Sequence, residues 1–394
     1  MKKELAFTAI NAAILAGALA LSGPAHAQDT VKIGVALSQT GNLADSAAPY
    51  FKGLDLWRQQ ANARGGFAGK PVEFVIYDDR SDPATAARLY ERLITSDHVN
   101  FVISSLGSAT AATGSAVAEK HKMLMINGGG AAEAIQQRGF KYVFQTAARI
   151  SAYADGVLPL IKKYNVKTMA LVSRDYAAAR DISKALKASI EGTGVKIVID
   201  EYFPAGTADF SSQIAKGQQL QPELWVGLLY PGEAIETVRQ FHSVNYMPKL
   251  FLANGVSQDE FITAAGKDAE YSLGMSLYEP GLPSAGNKEF VRTHKEKYGT
   301  EPGYYAAYGF VAGTVLEAAV RQAGSIETEK VREVLTTLKL ETVMGRHEVD
   351  PKTYMQIGVR GLLVQVQNGK RDVIWPDELR TAEPKLPIPA WDKR

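Results

Sequence analysis

The sequence predicts an α/β protein built from two doubly wound, largely parallel sheets. Three observations carry this. Apolar, β-branched runs of strand length alternate with longer helical runs, and the links between them are short. The alternation then begins afresh after Arg149, giving two consecutive units of similar size.

In the first unit, Val31 to Leu37 is a β-branched apolar run of the kind buried on both faces of a sheet. A polar loop, Ser38 to Ser46, precedes a helix expected from Tyr50 to Arg64, which Gly65-Gly66 ends by supplying a left-handed C′ position. Pro71 to Tyr77 reads as the second strand. Asp82-Pro83 gives an N-cap followed by proline at the first helical position, opening a helix to Ser96. Phe101 to Ile103, Ser108 to Lys120 and Met123 to Ile126 read as strand, helix and strand.

The second unit starts with a helix over Ser151 to Tyr164 and a strand over Thr168 to Val172. Helices at 182–191, 210–218 and 234–245 alternate with strands at 196–199, 224–229 and 249–252. Near the C-terminus, Gly361 to Val366 and Arg371 to Trp375 flank Asn368-Gly369, a hairpin turn signal. The tail from Pro384 to Trp391 is rich in proline and reads as extended.

The N-terminus points to export. Lys2 and Lys3 precede an apolar stretch, Leu5 to Leu21, and Ala25-His26-Ala27 has the small-x-small form of a cleavage site. A retained anchor is the alternative, but the stretch is short for a span. Residues 1–27 are therefore expected to be a signal peptide, and the mature chain to be exported. The full sequence has 44 basic and 42 acidic residues, and removing residues 1–27 leaves 42 against 41. With no block of like charges, nothing suggests a nucleic-acid partner.

Several chemistries find no support. There is no cysteine, which removes thiolate catalysis, iron–sulfur clusters and cysteine zinc sites. The histidines, His26, His98, His121, His242, His294 and His347, form no zinc pattern, and no nucleophile elbow is present. Asp78, Asp79 and Asp82 lack the further oxygen ligands a metal needs, and Asp82 is accounted for as a cap. Gly128-Gly129-Gly130 lacks the ending of a phosphate loop. The expectation is a protein that is not an enzyme and takes no metal or cofactor.

Ligands of open α/β sheets bind beyond the carboxyl ends of the strands. The loops there are small and polar: Ser38 to Gly41, Leu106 to Thr110, Asn127 to Gly130, and Asn254 to Ser257. They suit recognition of a solute by backbone and hydroxyl groups.

Taken in order, Ile33-Gly34-Val35 with Thr40-Gly41, Gly53 to Trp57, Ala63 to Phe67, Tyr77 to Asp79 with Ser81 to Pro83, and Ala306 to Ala312 with Glu317-Ala318 resemble the branched-chain amino-acid-binding family of type I periplasmic binding proteins. The resemblance covers essentially the whole mature chain. It implies two lobes, 30–146 with 278–347 and 147–277 with 348–394, joined by a three-crossover hinge. It also implies a monomer that delivers its solute to an ABC permease in the inner membrane. A sensory protein presenting its closed form to a receptor is the competing role, since fold does not set function.

Carried over by position, the resemblance places Ser46, Ser108, Gly129, Gly130, Ala131, Ala178, Tyr230 and Asn254 around the ligand. Ser108 matches the serine that holds a ligand carboxylate. Ala131 stands where a threonine is usual, Ser46 and Ala178 where aromatics are usual, and Asn254 where an acid pairs with the ligand ammonium. The departures imply a larger cavity with no partner for an α-ammonium. The expected ligand is a carboxylate bulkier than leucine, such as an aromatic acid, with a branched-chain or aromatic amino acid as the alternative. Arg149 and Arg174 could reach a carboxylate or form a rim salt bridge. Tyr278 could close over the ligand or pack the hinge, and Trp57 reads as lobe packing.

Overall fold

The structure, a computed structural model, describes residues 30–394. The expected signal peptide, residues 1–27, lies outside the described residues.

The opening unit forms a five-stranded sheet. β1 (Val31–Leu37) leads to α1 (Ala44–Ala63), β2 (Val72–Asp78) to α2 (Pro83–Thr95), and β3 (Phe101–Ile103) to α3 (Ser108–Lys120). β4 (Met125–Asn127), the short α4 (Glu133–Gln136) and β5 (Val143–Gln145) complete it. The strands pair in the order β2-β1-β3-β4-β5, all parallel. β1 shows why the sheet is sandwiched. Val31, Ile33, Val35 and Leu37 enter one core, while Ala36 joins Tyr90 of α2 and Ala118 of α3 in another.

The second sheet has seven strands. A 3₁₀ turn (Ile150–Ala154) and α5 (Val157–Tyr164) precede β6 (Thr168–Arg174), α6 (Ala177–Ile190) and β7 (Lys196–Phe203). α7 (Ser211–Leu220), β8 (Leu224–Leu228), α8 (Pro231–Ser243), β9 (Leu250–Ala253), α9 (Asp259–Ala265) and β10 (Leu273–Ser276) follow. The order is β14-β13-β10-β9-β8-β6-β7. β6 to β10 run parallel, and the hairpin β13 (Leu362–Gln367) and β14 (Lys370–Trp375) adds antiparallel to β10. Asn368 and Gly369 sit between these strands at φ 54° and 70°, the paired left-handed values of a type I′ turn. Leu250 and Leu252 of β9 face α5 and α6, whereas Phe251 and Ala253 face α7 and α8.

Between β10 and β13 the chain returns to the first sheet. There α10 (Asn287–Tyr298), α11 (Tyr304–Ala323), α12 (Thr328–Leu335) and the hairpin β11 (Leu340–Thr342)–β12 (Gly345–His347) add to its core. The molecule is thus two doubly wound lobes connected by three passages of chain, after β5, after β10 and after β12. Tyr278, in the second passage, is 3% exposed and donates to Asn287 Oδ1 at 2.7 Å, so it packs the hinge.

Several elements differ from expectation. α1 begins at Ala44 rather than Tyr50, with Pro49 inside the helix, where it removes one intrahelical hydrogen bond without ending it. Ser46 therefore lies in a helical first turn, not a loop. The single helix expected over 151–164 is a 3₁₀ turn and a separate α5. β5 and β10, of three and four residues, are too short to show a period and escaped the sequence reading.

Candidate functional site

At the carboxyl edge of the first sheet, β3 and β4 deliver two loops side by side. Gly107 N–H donates to Gly129 O at 3.1 Å, and Gly129 N–H donates to Ser104 Oγ at 3.0 Å. The packing demands glycine, since a Cβ on residue 129 would lie 2.2 Å from Ser105 O. Gly107, at φ 104°, turns the chain into α3.

These loops and the starts of α1 and α11 line a half-open cavity of about 150 Å³. Ser46, Ser108, Gly129 and Ala131 line it together. So do Ile150, Tyr153, Tyr304, Tyr305 and Tyr308. Among the described residues its lining holds no charged side chain.

The polar end of the cavity is rich in donors. Ser108 Oγ accepts from Ala132 N–H at 3.1 Å, which leaves the hydroxyl proton free to point elsewhere. The amides of Ala109 and Thr110, in the first turn of α3, have no intrahelical acceptor. Amides at such a helix start favour an anion.

Gly130 lies one layer below. Its amide donates to Asn127 Oδ1 at 2.9 Å and its carbonyl accepts from Asn127 Nδ2 and Gln145 Nε2, both at 3.0 Å. It supports the floor and does not line the cavity.

The aromatic residues form a second wall. Tyr304 and Tyr305 have ring centroids 4.0 Å apart, and Tyr308 packs edge-on to Tyr304 at 5.6 Å. Burial pushes the Tyr153 hydroxyl well above the usual phenol range, with Tyr305, Tyr176 and Tyr230 adding to the effect. Tyr153 thus stands between the tyrosines of α11 and those at the edge of the second sheet.

On that opposite edge, Tyr176 and Tyr230 have ring centroids 5.2 Å apart. Arg174 lies over the Tyr230 ring at 4.4 Å and pairs with Glu233 at 3.3 Å. Glu233 is buried, which raises its pKa against the opposing pull of the Tyr230 amide and Arg174. Asn254 Oδ1 accepts from Leu229 N–H at 2.7 Å, and its side chain lies beside the Tyr176 hydroxyl. Tyr230 remains 45% exposed, open to the space between the lobes.

The two arginines and Ala178 take different places from the rest. Arg149 is held within the hinge by Asp155 at 2.7 Å and Ser151 at 3.1 Å. Arg174 is engaged by Glu233 and Tyr230. The ring that faces Tyr230 belongs to Tyr176, two residues before Ala178, so aromatic bulk is present where the alignment by position suggested its loss. The sequence reading missed Tyr153, Tyr176, Tyr304, Tyr305 and Tyr308. The run Tyr304-Tyr305-x-x-Tyr308 after Pro302-Gly303, all on one helical face, was the signal available.

Known proteins share this architecture. The model of the periplasmic binding protein family matches residues 30–371. A leucine-, isoleucine-, valine-, threonine- and alanine-binding protein of Pseudomonas aeruginosa is 28% identical over 343 residues, 86% of this chain and 91% of its own. The branched-chain amino acid transporter substrate binding protein of Streptococcus pneumoniae, solved with isoleucine, has a TM-score of 0.74 at 25% identity, covering 88% of this chain and 100% of that one. An ABC transporter solute binding protein from R. palustris, solved with benzoate, shares the fold with a TM-score of 0.74 at 21% identity, over 91% of this chain and 99% of that one. With two doubly wound lobes, a hinge of three passages and a cavity at the strand ends, the chain belongs to the periplasmic binding protein family, the solute-binding components of ABC transporters.

Proposed function

We propose that this protein is an exported, periplasmic binding protein that captures a single-ring aromatic carboxylate and delivers it to an ABC permease. The observation that carries the ligand class is the makeup of the cavity. Free donors at the start of α3 meet a tyrosine wall, with no charged side chain in the lining. A carboxylate suits the Ser108 hydroxyl and the neighbouring amides. A volume of about 150 Å³ is close to that of an apolar protein cavity known to take up benzene.

An α-ammonium is served less well. The buried Glu233 and the half-buried Asp155 are already paired with Arg174 and Arg149. Burying a cation without a partner is costly. An α-amino acid is the second reading, favoured by the P. aeruginosa relative, whose name gives leucine, isoleucine, valine, threonine and alanine as its ligands. Residues 30–146 with 278–347 and 147–277 with 348–394 are the bodies that would close on the ligand, bringing Tyr176 and Tyr230 onto the ring.

The test is isothermal titration of the chain from residue 28, refolded to remove carried-over ligand. Benzoate and phenylacetate are expected to bind, Ser108→Ala to weaken them about tenfold, and leucine to give no heat. Leucine binding more tightly than every aryl acid would replace this reading with the amino-acid one.

A further inference from the structure

We propose that Asp79 takes up a proton as an anionic ligand enters the cavity, so that capture of the ligand carboxylate is coupled to protonation of an acid buried behind it. This rests on the aryl-carboxylate reading only in requiring an anion at the start of α3.

Asp79 follows β2 and is fully buried. One carboxyl oxygen is well served: Oδ1 accepts from Ser38 Oγ at 2.6 Å and from Ser81 N–H at 2.8 Å. Oδ2 has no hydrogen-bond partner of ordinary geometry among the described residues. The groups acting on the carboxyl are Ser38 after β1, Ser105 after β3, the Ser81 amide, and Asp78 of its own strand. Tyr90 is within electrostatic reach from α2, as a neutral phenol that donates to Ile103 O at 2.8 Å. No cation is among them. Burial raises the carboxyl above its usual range against the pull of the serines, and Asp78 adds to the rise.

Ser105 connects this acid to the anion site. Its hydroxyl lies 2.7 Å from Thr110 Oγ1, which in turn lies 3.0 Å from Leu106 O and from Gly107 O. Thr110 is in the first turn of α3, and Leu106 and Gly107 line the cavity. A protonated Asp79 can donate to Ser105, Ser105 to Thr110, and Thr110 to either carbonyl, so the whole chain is satisfied without charge. An ionised Asp79 and a ligand carboxylate instead place two anions at one helix start, in a medium that screens them weakly. By linkage, the proton strengthens anion binding by the same factor as the anion strengthens proton binding. Affinity is therefore highest below the ligand-free pKa of Asp79. It falls as pH rises through that value and levels off above the value in the complex.

Isothermal titration with benzoate in buffers of differing ionisation heat counts the protons taken up. The chain from residue 28 should take up a fraction of one proton per benzoate, and bind about fivefold more weakly at pH 8 than at pH 5.5. Asp79→Asn keeps the shape and removes the charge. It should show no proton uptake and equal affinity at both pH values. At pH 8 it should bind about fivefold more tightly than the parent, whereas structural damage would weaken it. Should that variant fail to fold, carboxyl-carbon magnetic resonance of the parent decides: one aspartate must titrate at higher pH with benzoate than without. Benzoate binding with no proton uptake, or with uptake that persists in Asp79→Asn, overturns the inference and leaves the aryl-carboxylate reading standing. Failure of every aryl acid to bind overturns both.

Discussion

His347, at the end of β12, is fully buried and held by one partner. Gln356 Oε1 accepts from Gly358 N–H at 2.7 Å, so the amide nitrogen of Gln356 must face His347, 2.9 Å from Nδ1. Nδ1 is then the acceptor and the proton resides on Nε2, which has no partner among the described residues. Burial pushes the imidazole pKa down to about 4. Because the folded value lies below the unfolded one, stability from the neutral ring is complete above pH ~6.5 and is lost as pH falls toward 4. The loss is on the order of 3 kcal/mol. Urea denaturation at pH 7 and pH 4.5 should show a smaller acid loss for His347→Gln than for the parent. An identical loss would place the acid sensitivity in the carboxylates instead. The same residues connect to the site, since Gln356 N–H donates to Gln145 Oε1 and Gln145 Nε2 donates to Gly130 O.

The pair α1–α11 is the element on which the tyrosine wall depends. The two helices touch through glycine: a Cβ at Gly53 would lie 1.9 Å from Ala306 O, and one at Gly309 would lie 2.0 Å from Tyr50 O. Trp57 fills the next contact against Gly313 and donates to Glu317 Oε2 at 2.9 Å. Glu317 in turn takes Arg64 at 2.7 Å. Interiors this dense do not absorb an added methyl. Gly309→Ala is expected to cost about 1–3 kcal/mol by overpacking. It should also weaken ligand binding by shifting Tyr305 and Tyr308, although residue 309 does not line the cavity. Thermal melting and titration check both, and a variant of parental stability would mean the helices can separate without cost.

Across the whole molecule, the hinge decides whether the two edges meet. Asp155 joins the first and third passages: it pairs with Arg149 at 2.7 Å and accepts from Gly361 N–H at 3.1 Å. A Cβ on residue 361 would lie 1.8 Å from Ala152 O, so the passages run in direct backbone contact. Asp155→Ala leaves Arg149 and the Gly361 amide without this partner. The expected outcome is a lower melting temperature and weaker ligand binding with the cavity wall untouched. Small-angle scattering should show a wider spread of dimensions in the ligand-free variant than in the parent. Unchanged scattering and affinity would mean that the passages act independently.

Much of this was legible in the sequence because it is local. Val31 to Leu37 reads as a strand from its own composition, Asp82-Pro83 as a helix start, and Asn368-Gly369 as a turn, since each depends on backbone preferences of adjacent residues. Asp82 accepts from Thr85 N–H at 2.7 Å as a cap should. The loops Leu106 to Thr110 and Asn127 to Gly130 were legible, since loops at strand ends fall where the alternation puts them, and the family resemblance singled out Ser108, Gly129 and Ala131. The tyrosine wall was not, because Tyr153, Tyr176 and Tyr304 to Tyr308 come from three separate stretches that only packing of α11 on α1 and passage of the chain through the hinge bring together. Nor could sequence say that Arg149 and Arg174 are occupied by Asp155 and Glu233. The sequence by itself determined two α/β units and a donor-rich loop at the start of one helix. Tertiary structure alone decided which rings face the cavity and which charges are paired away from it, because those depend on contacts between residues far apart along the chain.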